Sequence, residues 1–103
     1  MDIKKHYTNV AELGCILCAQ KNPQLHHVSG GSMKEAGYHS GMGKLGVSNY
    51  WVIPLHYRYH VGDEGIHKMG VLTWEKRYRT QMELLEWVWR KIGYRLDLEG
   101  NEV

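Results

Sequence analysis

Histidines are concentrated in two short segments of this chain. His26 and His27 are adjacent, and His56, His60 and His67 follow at spacings of four and seven residues. Imidazole binds metals well and gains or loses a proton near neutral pH, so clustered histidines suggest a use. When two imidazoles are neighbours beside an ion, one can bind the ion while the other accepts a proton. The spacing therefore indicates a metal-dependent catalytic site.

Two cysteines, Cys15 and Cys18, precede these histidines. Their Cys-x-x-Cys spacing is typical of a metal clip or a thiol redox pair, and two cysteines do not make a disulfide framework. Structural zinc takes four Cys or His ligands. His56 and His67 can complete such a set, so we expect a structural Zn²⁺ bound by Cys15, Cys18, His56 and His67.

Another use of His56 is open. It can instead bind a separate, catalytic ion. One imidazole normally serves one ion, so His56 cannot do both. We favour the structural role, because the cysteines alone would leave zinc with too few ligands.

Length and composition indicate a single domain over residues 1–103. Hydrophobic residues make up 43% of the chain and charged residues 23%, which is globular rather than disordered composition. A net charge of +2 is a weak argument for a nucleic-acid partner. We expect no signal peptide, and no apolar run approaches ~18 residues, so we expect a cytoplasmic protein with no membrane contact.

Two strands and a helix are expected to position the histidines. Residues 25–28 form the first strand, whose alternation places His26 and His27 on opposite faces. Residues 50–53 form the second strand, which Pro54 is expected to end. A helix begins at His56, and its first turn places His56 and His60 on one face. The glycine-rich segment 29–46 is expected to be a long loop.

Helices are expected at both ends of the chain. A helix of one or two turns begins near Asn9 and ends by Gly14. Thr73 is expected to cap a long amphipathic helix over about residues 73–93, which Gly93 ends. Its apolar stripe is expected to face the core or another chain. The tail, residues 97–103, is expected to fray.

This order of elements resembles the HNH (His-Me finger, ββα-metal) nucleases over roughly residues 14–70. The segments from Gly41-Met42-Gly43-Lys44 to Gly65-Ile66-His67 are similar to the phage recombination-enhancement (Ref) subgroup, which are RecA-dependent nucleases. The matching motif elements are Cys15-x2-Cys18, Leu25-His26-His27-Val28, Asn49 and Ile53-Pro54-Leu55-His56-x2-Tyr59-His60.

The resemblance implies an α+β fold, a small ββα-metal domain with a zinc knuckle, followed here by the long C-terminal helix. It implies that His27 is the general base and that His26 and His60 hold a catalytic divalent metal, which can be Mg²⁺, Mn²⁺, Ni²⁺ or Zn²⁺. Asn49 would hold the loop that supports the base. The chain departs from the family where many members have a second Cys-x-x-Cys, because His56 and Tyr59 occupy those positions.

The function that follows is a metal-dependent DNA endonuclease with low sequence specificity, encoded by a phage and linked to recombination or DNA processing. Lys44, Arg58 and Lys68 would contact phosphates, which positions DNA without reading its sequence. A RecA-type recombinase is a candidate partner, as is a second copy docked through the C-terminal helix. The protein would then act in the host cell cytoplasm.

Two other functions compete with this interpretation. The chain can be a zinc-stabilised module that binds nucleic acid or protein without catalysis, although one zinc site would leave one of the adjacent histidines unused. It can also be a thiol redox protein, but it lacks the βαβ pattern in which such a motif usually lies.

Overall fold

The computed structural model describes residues 1–39 and 45–103, where it shows a two-stranded antiparallel sheet surrounded by short helices. The expected α+β class is therefore confirmed. Lys44 lies outside the described residues. The elements in chain order are α1 (Ile3–Glu12), β1 (Gln24–His27), α2 (Gly31–Glu35), β2 (Val52–Leu55), α3 (Tyr57–His60), α4 (Ile66–Met69), α5 (Val71–Arg77) and α6 (Gln81–Ile92).

The sheet places the two adjacent histidines opposite a wholly buried strand. His26 pairs with Ile53 and His27 with Val52. Pro54 lies inside β2 and does not end it, contrary to expectation. In a two-stranded sheet each strand has an open edge, where a residue without an N–H is tolerated. The carbonyl of Pro54 accepts a hydrogen bond of 2.9 Å from the Ile16 N–H. This bond attaches the turn that contains Cys15 and Cys18, which we call the cysteine turn, to the edge of β2.

The C-terminal region forms two helices where one over residues 73–93 was expected. The Thr80 hydroxyl accepts from the Glu83 N–H while the Glu83 carboxylate accepts from the Thr80 N–H, a capping box that starts α6. Thr73 lies within α5 instead of capping a helix. Gly93 ends α6 as expected, with φ of 86°. The apolar stripe contributes four buried core residues: Trp74, Leu85, Val88 and Trp89.

Both chain ends are more ordered than the sequence indicated. The first helix starts at Ile3 with Asp2 as its cap, not near Asn9. The expectation of a frayed tail was wrong, because Glu102 forms a bridge with Leu96 and the Val103 N–H donates to the Arg95 carbonyl at 3.0 Å. The segment expected to be one long loop contains α2. None of the helices in the two described stretches is long and apolar enough to cross a membrane.

Candidate metal centre

Three histidines from different elements converge on one point. His26 comes from β1, His60 from the end of α3 and His67 from α4. One ring nitrogen of each lies within 4.8 Å of those of the other two. We call this group the histidine centre. It is the only group of three or more potential metal ligands found within residues 1–39 and 45–103.

Gly65 allows α3 and α4 to approach closely enough for two of these histidines to meet. A Cβ atom at Gly65 would lie 2.5 Å from the carbonyl oxygen of His60, which no side chain tolerates. The chain can therefore turn directly from the end of α3 into α4. As a result, Nε2 of His67 lies 3.0 Å from Nε2 of His60.

The tautomer of His60 follows from its other neighbour. Nδ1 of His60 lies 2.7 Å from Oε1 of Gln24, an amide oxygen that only accepts, so Nδ1 bears the hydrogen and Nε2 has a free lone pair. A lone pair facing the Nε2 of His67 at 3.0 Å requires a proton or a cation between them. Two nitrogens at ~2.0–2.1 Å from one ion lie roughly 3.0–3.4 Å apart, so the pair fits a shared metal.

Gln81 fixes the tautomer of His26 in the same way. Its side-chain N–H groups donate to the carbonyls of Ser29 and Gly30, which sets the orientation of the amide. Oε1 of Gln81 then accepts from the Ser29 N–H and, at 2.9 Å, from Nε2 of His26. His26 must therefore be protonated on Nε2, which leaves Nδ1 as its ligand atom. Such partners of a metal ligand typically strengthen metal binding.

A buried carboxylate holds Gln81 in place. The Glu75 side chain accepts a hydrogen bond of 2.8 Å from the backbone N–H of Gln81. It also accepts from the backbone N–H and the hydroxyl of Ser32 in α2. Sequence reasoning missed both Gln81 and Glu75, because residues so far along the chain give no spacing signal towards His26.

The electrostatics of the centre favour the neutral form of His26 and His60 at pH 7. Burial lowers the pKa of His26 to about 4, against an ordinary value of 6.5. Burial, followed by the charge on His67, lowers the pKa of His60 to about 4. Both rings therefore keep a lone pair for a cation at neutral pH.

His27 lies beside this centre but has different partners. Its Nε2 lies 3.0 Å from the Tyr7 hydroxyl, which also lies 2.7 Å from the carbonyl oxygen of Asn49. Burial lowers the pKa of His27. The pKa of His60 is lowered first by burial, then by the charge on His67 and then by the charge on His27. The rings of His27 and His60 therefore interact electrostatically.

The expected Cys2His2 set is not assembled in the described parts of the chain. Cys15 and Cys18 are free thiols, and no third ligand completes a metal-binding group with them. His67 belongs to the histidine centre instead. Nδ1 of His56 accepts a hydrogen bond of 3.2 Å from the Arg58 N–H and so caps α3. His56 is therefore not grouped with the cysteines as a structural zinc ligand, and it is not grouped with the histidine centre either.

Two of the three expected phosphate contacts are paired with carboxylates. Arg58 bonds Glu64 at 2.9 Å, and Lys68 bonds Asp63 at 2.7 Å. These pairs are exposed and are therefore weak. A DNA phosphate could replace either carboxylate at a small cost in free energy. The two carboxylates nonetheless make this surface less basic than the lysine and arginine positions alone indicated.

Comparisons with known proteins give no family for this chain. No family model matches it, and neither a curated protein nor a solved structure does.

Proposed function

We propose that this protein is a metal-dependent endonuclease of the HNH type that hydrolyses DNA phosphodiester bonds. The observation that supports this most is the histidine centre, with His27 adjacent to one of its ligands. A metal held by three protein ligands keeps a coordination position open, which is the arrangement of catalytic sites. The order of cysteine turn, strand, strand and helix supports the proposal, because it is the order that the resemblance implies.

The chain's residues have separable roles in this reaction. His26, His60 and His67 would hold the divalent cation, which supplies neutralisation of the charge that develops on the scissile phosphate. His27 would take the proton from the attacking water. General-base assistance of this kind typically contributes about 10²- to 10⁴-fold. By resemblance, the products would carry 5′-phosphate and 3′-hydroxyl ends.

A plasmid-nicking assay tests the proposal. Supercoiled and single-stranded DNA are incubated with the protein and Mg²⁺, Mn²⁺, Ni²⁺, Zn²⁺ or EDTA, with and without a RecA-type recombinase. We expect nicking that EDTA abolishes and that His27→Ala reduces about 10²- to 10⁴-fold. His39→Ala is the matched control, since His39 is an exposed histidine outside the centre.

The outcomes separate the candidate functions. If His27→Ala cleaves as fast as the parent while folded and loaded with metal, His27 is not the base. If the parent binds metal and DNA but never nicks, the protein is a metal-stabilised binding module. Binding should weaken steeply with salt if phosphates are contacted.

A further inference from the structure

A hydrogen-bonded chain links the first helix to His27. The Tyr7 hydroxyl, on α1, has a single hydrogen and lies 2.7 Å from the carbonyl oxygen of Asn49. A carbonyl only accepts, so that hydrogen points to Asn49. The hydroxyl oxygen is then left to accept from Nε2 of His27, 3.0 Å away. The reverse arrangement would leave two oxygens 2.7 Å apart with no hydrogen between them.

The segment 46–51 holds the Asn49 carbonyl in position. The Val47 N–H donates to the Val28 carbonyl at 3.0 Å, and the Val28 N–H donates to the Trp51 carbonyl at 3.2 Å. Gly46 is required for this approach, because a Cβ there would lie 2.9 Å from Cβ of His27. The segment therefore packs directly against the end of β1, and Tyr7 bridges the two.

The chemical consequence concerns the other nitrogen of His27. A neutral imidazole has one N–H and one bare nitrogen, so a hydrogen on Nε2 leaves Nδ1 free to accept a proton. Without Tyr7, Nε2 would lose this partner and the ring could exchange between tautomers. A side chain outside residues 14–70, and not a backbone carbonyl, performs this task here.

We propose that Tyr7 is a positioning residue that fixes His27 as the Nε2-protonated tautomer, with Nδ1 available as the proton acceptor. The catalytic part of this inference rests on the proposed nuclease function. The tautomer part does not, since it concerns the hydrogen-bonded chain from Tyr7 to Asn49 alone.

The test compares Tyr7→Phe with Tyr94→Phe. Both substitutions remove one hydroxyl and keep the ring, and the Tyr94 hydroxyl bonds a different histidine, with 2.8 Å to Nδ1 of His6. Side-chain ¹H–¹⁵N NMR of the full chain at pH 7.5 reports the tautomer of His27. Zinc affinity, kcat and KM for plasmid nicking are measured on the same samples.

We expect His27 to be protonated on Nε2 in the parent and in Tyr94→Phe, and to show mixed tautomers in Tyr7→Phe. Loss of one hydrogen bond should lower kcat roughly 3- to 10-fold in Tyr7→Phe, with KM and zinc affinity unchanged. A parent His27 protonated on Nδ1, or a Tyr7→Phe variant with the parent's tautomer and kcat, would overturn the proposal. If no sample nicks DNA, the nuclease function fails, while the spectra still decide whether Tyr7 sets the tautomer.

Discussion

The histidine centre and the cysteine pair, Cys15 and Cys18, differ in how their ligands are gathered. The centre takes one ligand from each of three elements, whereas the pair offers two ligands from a single turn. The turn brings the two cysteines together by local geometry, because the Ala19 N–H donates a hydrogen bond of 2.7 Å to the Cys15 carbonyl. A local motif can therefore be seen in the sequence without being a complete site, and a complete site can be assembled from residues that no local motif connects.

Removing a ligand from the centre should have the largest effect. His67 is exposed, so His67→Ala should fold normally while it lowers zinc affinity roughly 100-fold or more, beyond the 10- to 100-fold typical of a supporting partner. Cys18→Ser should change that affinity by no more than about twofold, as expected for an independent site. Competition with a chromophoric chelator measures both. Equal losses in the two variants would mean that the two regions share one ion.

Removing a support of the centre should have a smaller effect. Gln81→Leu deletes the acceptor for Nε2 of His26 and should weaken zinc binding roughly 10- to 100-fold. Gln24→Leu, which deletes the exposed partner of His60, is the matched comparison and should weaken it less. Isothermal titration calorimetry gives both affinities. Unchanged binding in Gln81→Leu would show that the His26 tautomer does not limit the site.

Acid should weaken the fold through the centre and not through the cysteine pair. Unfolded His26 takes up a proton below its ordinary pKa of 6.5, while in the folded protein its pKa is about 4. The unfolded state thus binds more protons between these values, so metal-free stability is complete above pH 6.5 and declines towards pH 4. The shift corresponds to roughly 3 kcal/mol at about 1.4 kcal/mol per pKa unit.

Urea unfolding of the metal-free protein between pH 7.5 and 4 measures this decline. His26→Gln should make the pH dependence shallower, with the remainder coming from His60, and Cys18→Ser should retain the full dependence. A curve for His26→Gln as steep as that of the parent would assign the acid sensitivity to other groups, of which His60 is the first to examine, because burial lowers its pKa to about 4 as well.

The sequence predicted the elements that depend on local signals. The α+β class, the two strands and the helix that begins after His56 were predicted, as was the end of α6 at Gly93. The break between α5 and α6 was missed because the apolar residues continue across it at helical spacing. The Thr80-x-x-Glu83 capping-box pattern that marks the start of α6 is nevertheless present in the sequence.

The composition of the centre was less predictable. The resemblance paired His26 with His60, but placing His67 beside them depends on the close turn at Gly65, which spacing alone does not reveal. The supports from Tyr7 and Gln81 depend on how α1 and α6 pack against the sheet. Such contacts form between elements, so no local pattern indicates them.

X-ray absorption at the zinc edge, on protein loaded with one equivalent of Zn²⁺, tests most directly whether the three histidines share a metal. The structure leads us to expect a nitrogen shell at ~2.0–2.1 Å with imidazole scattering and no sulfur neighbour. His67→Ala should lose part of that imidazole scattering. A sulfur shell at ~2.3 Å in the parent would place the ion on Cys15 and Cys18 and would contradict the histidine centre as the metal site.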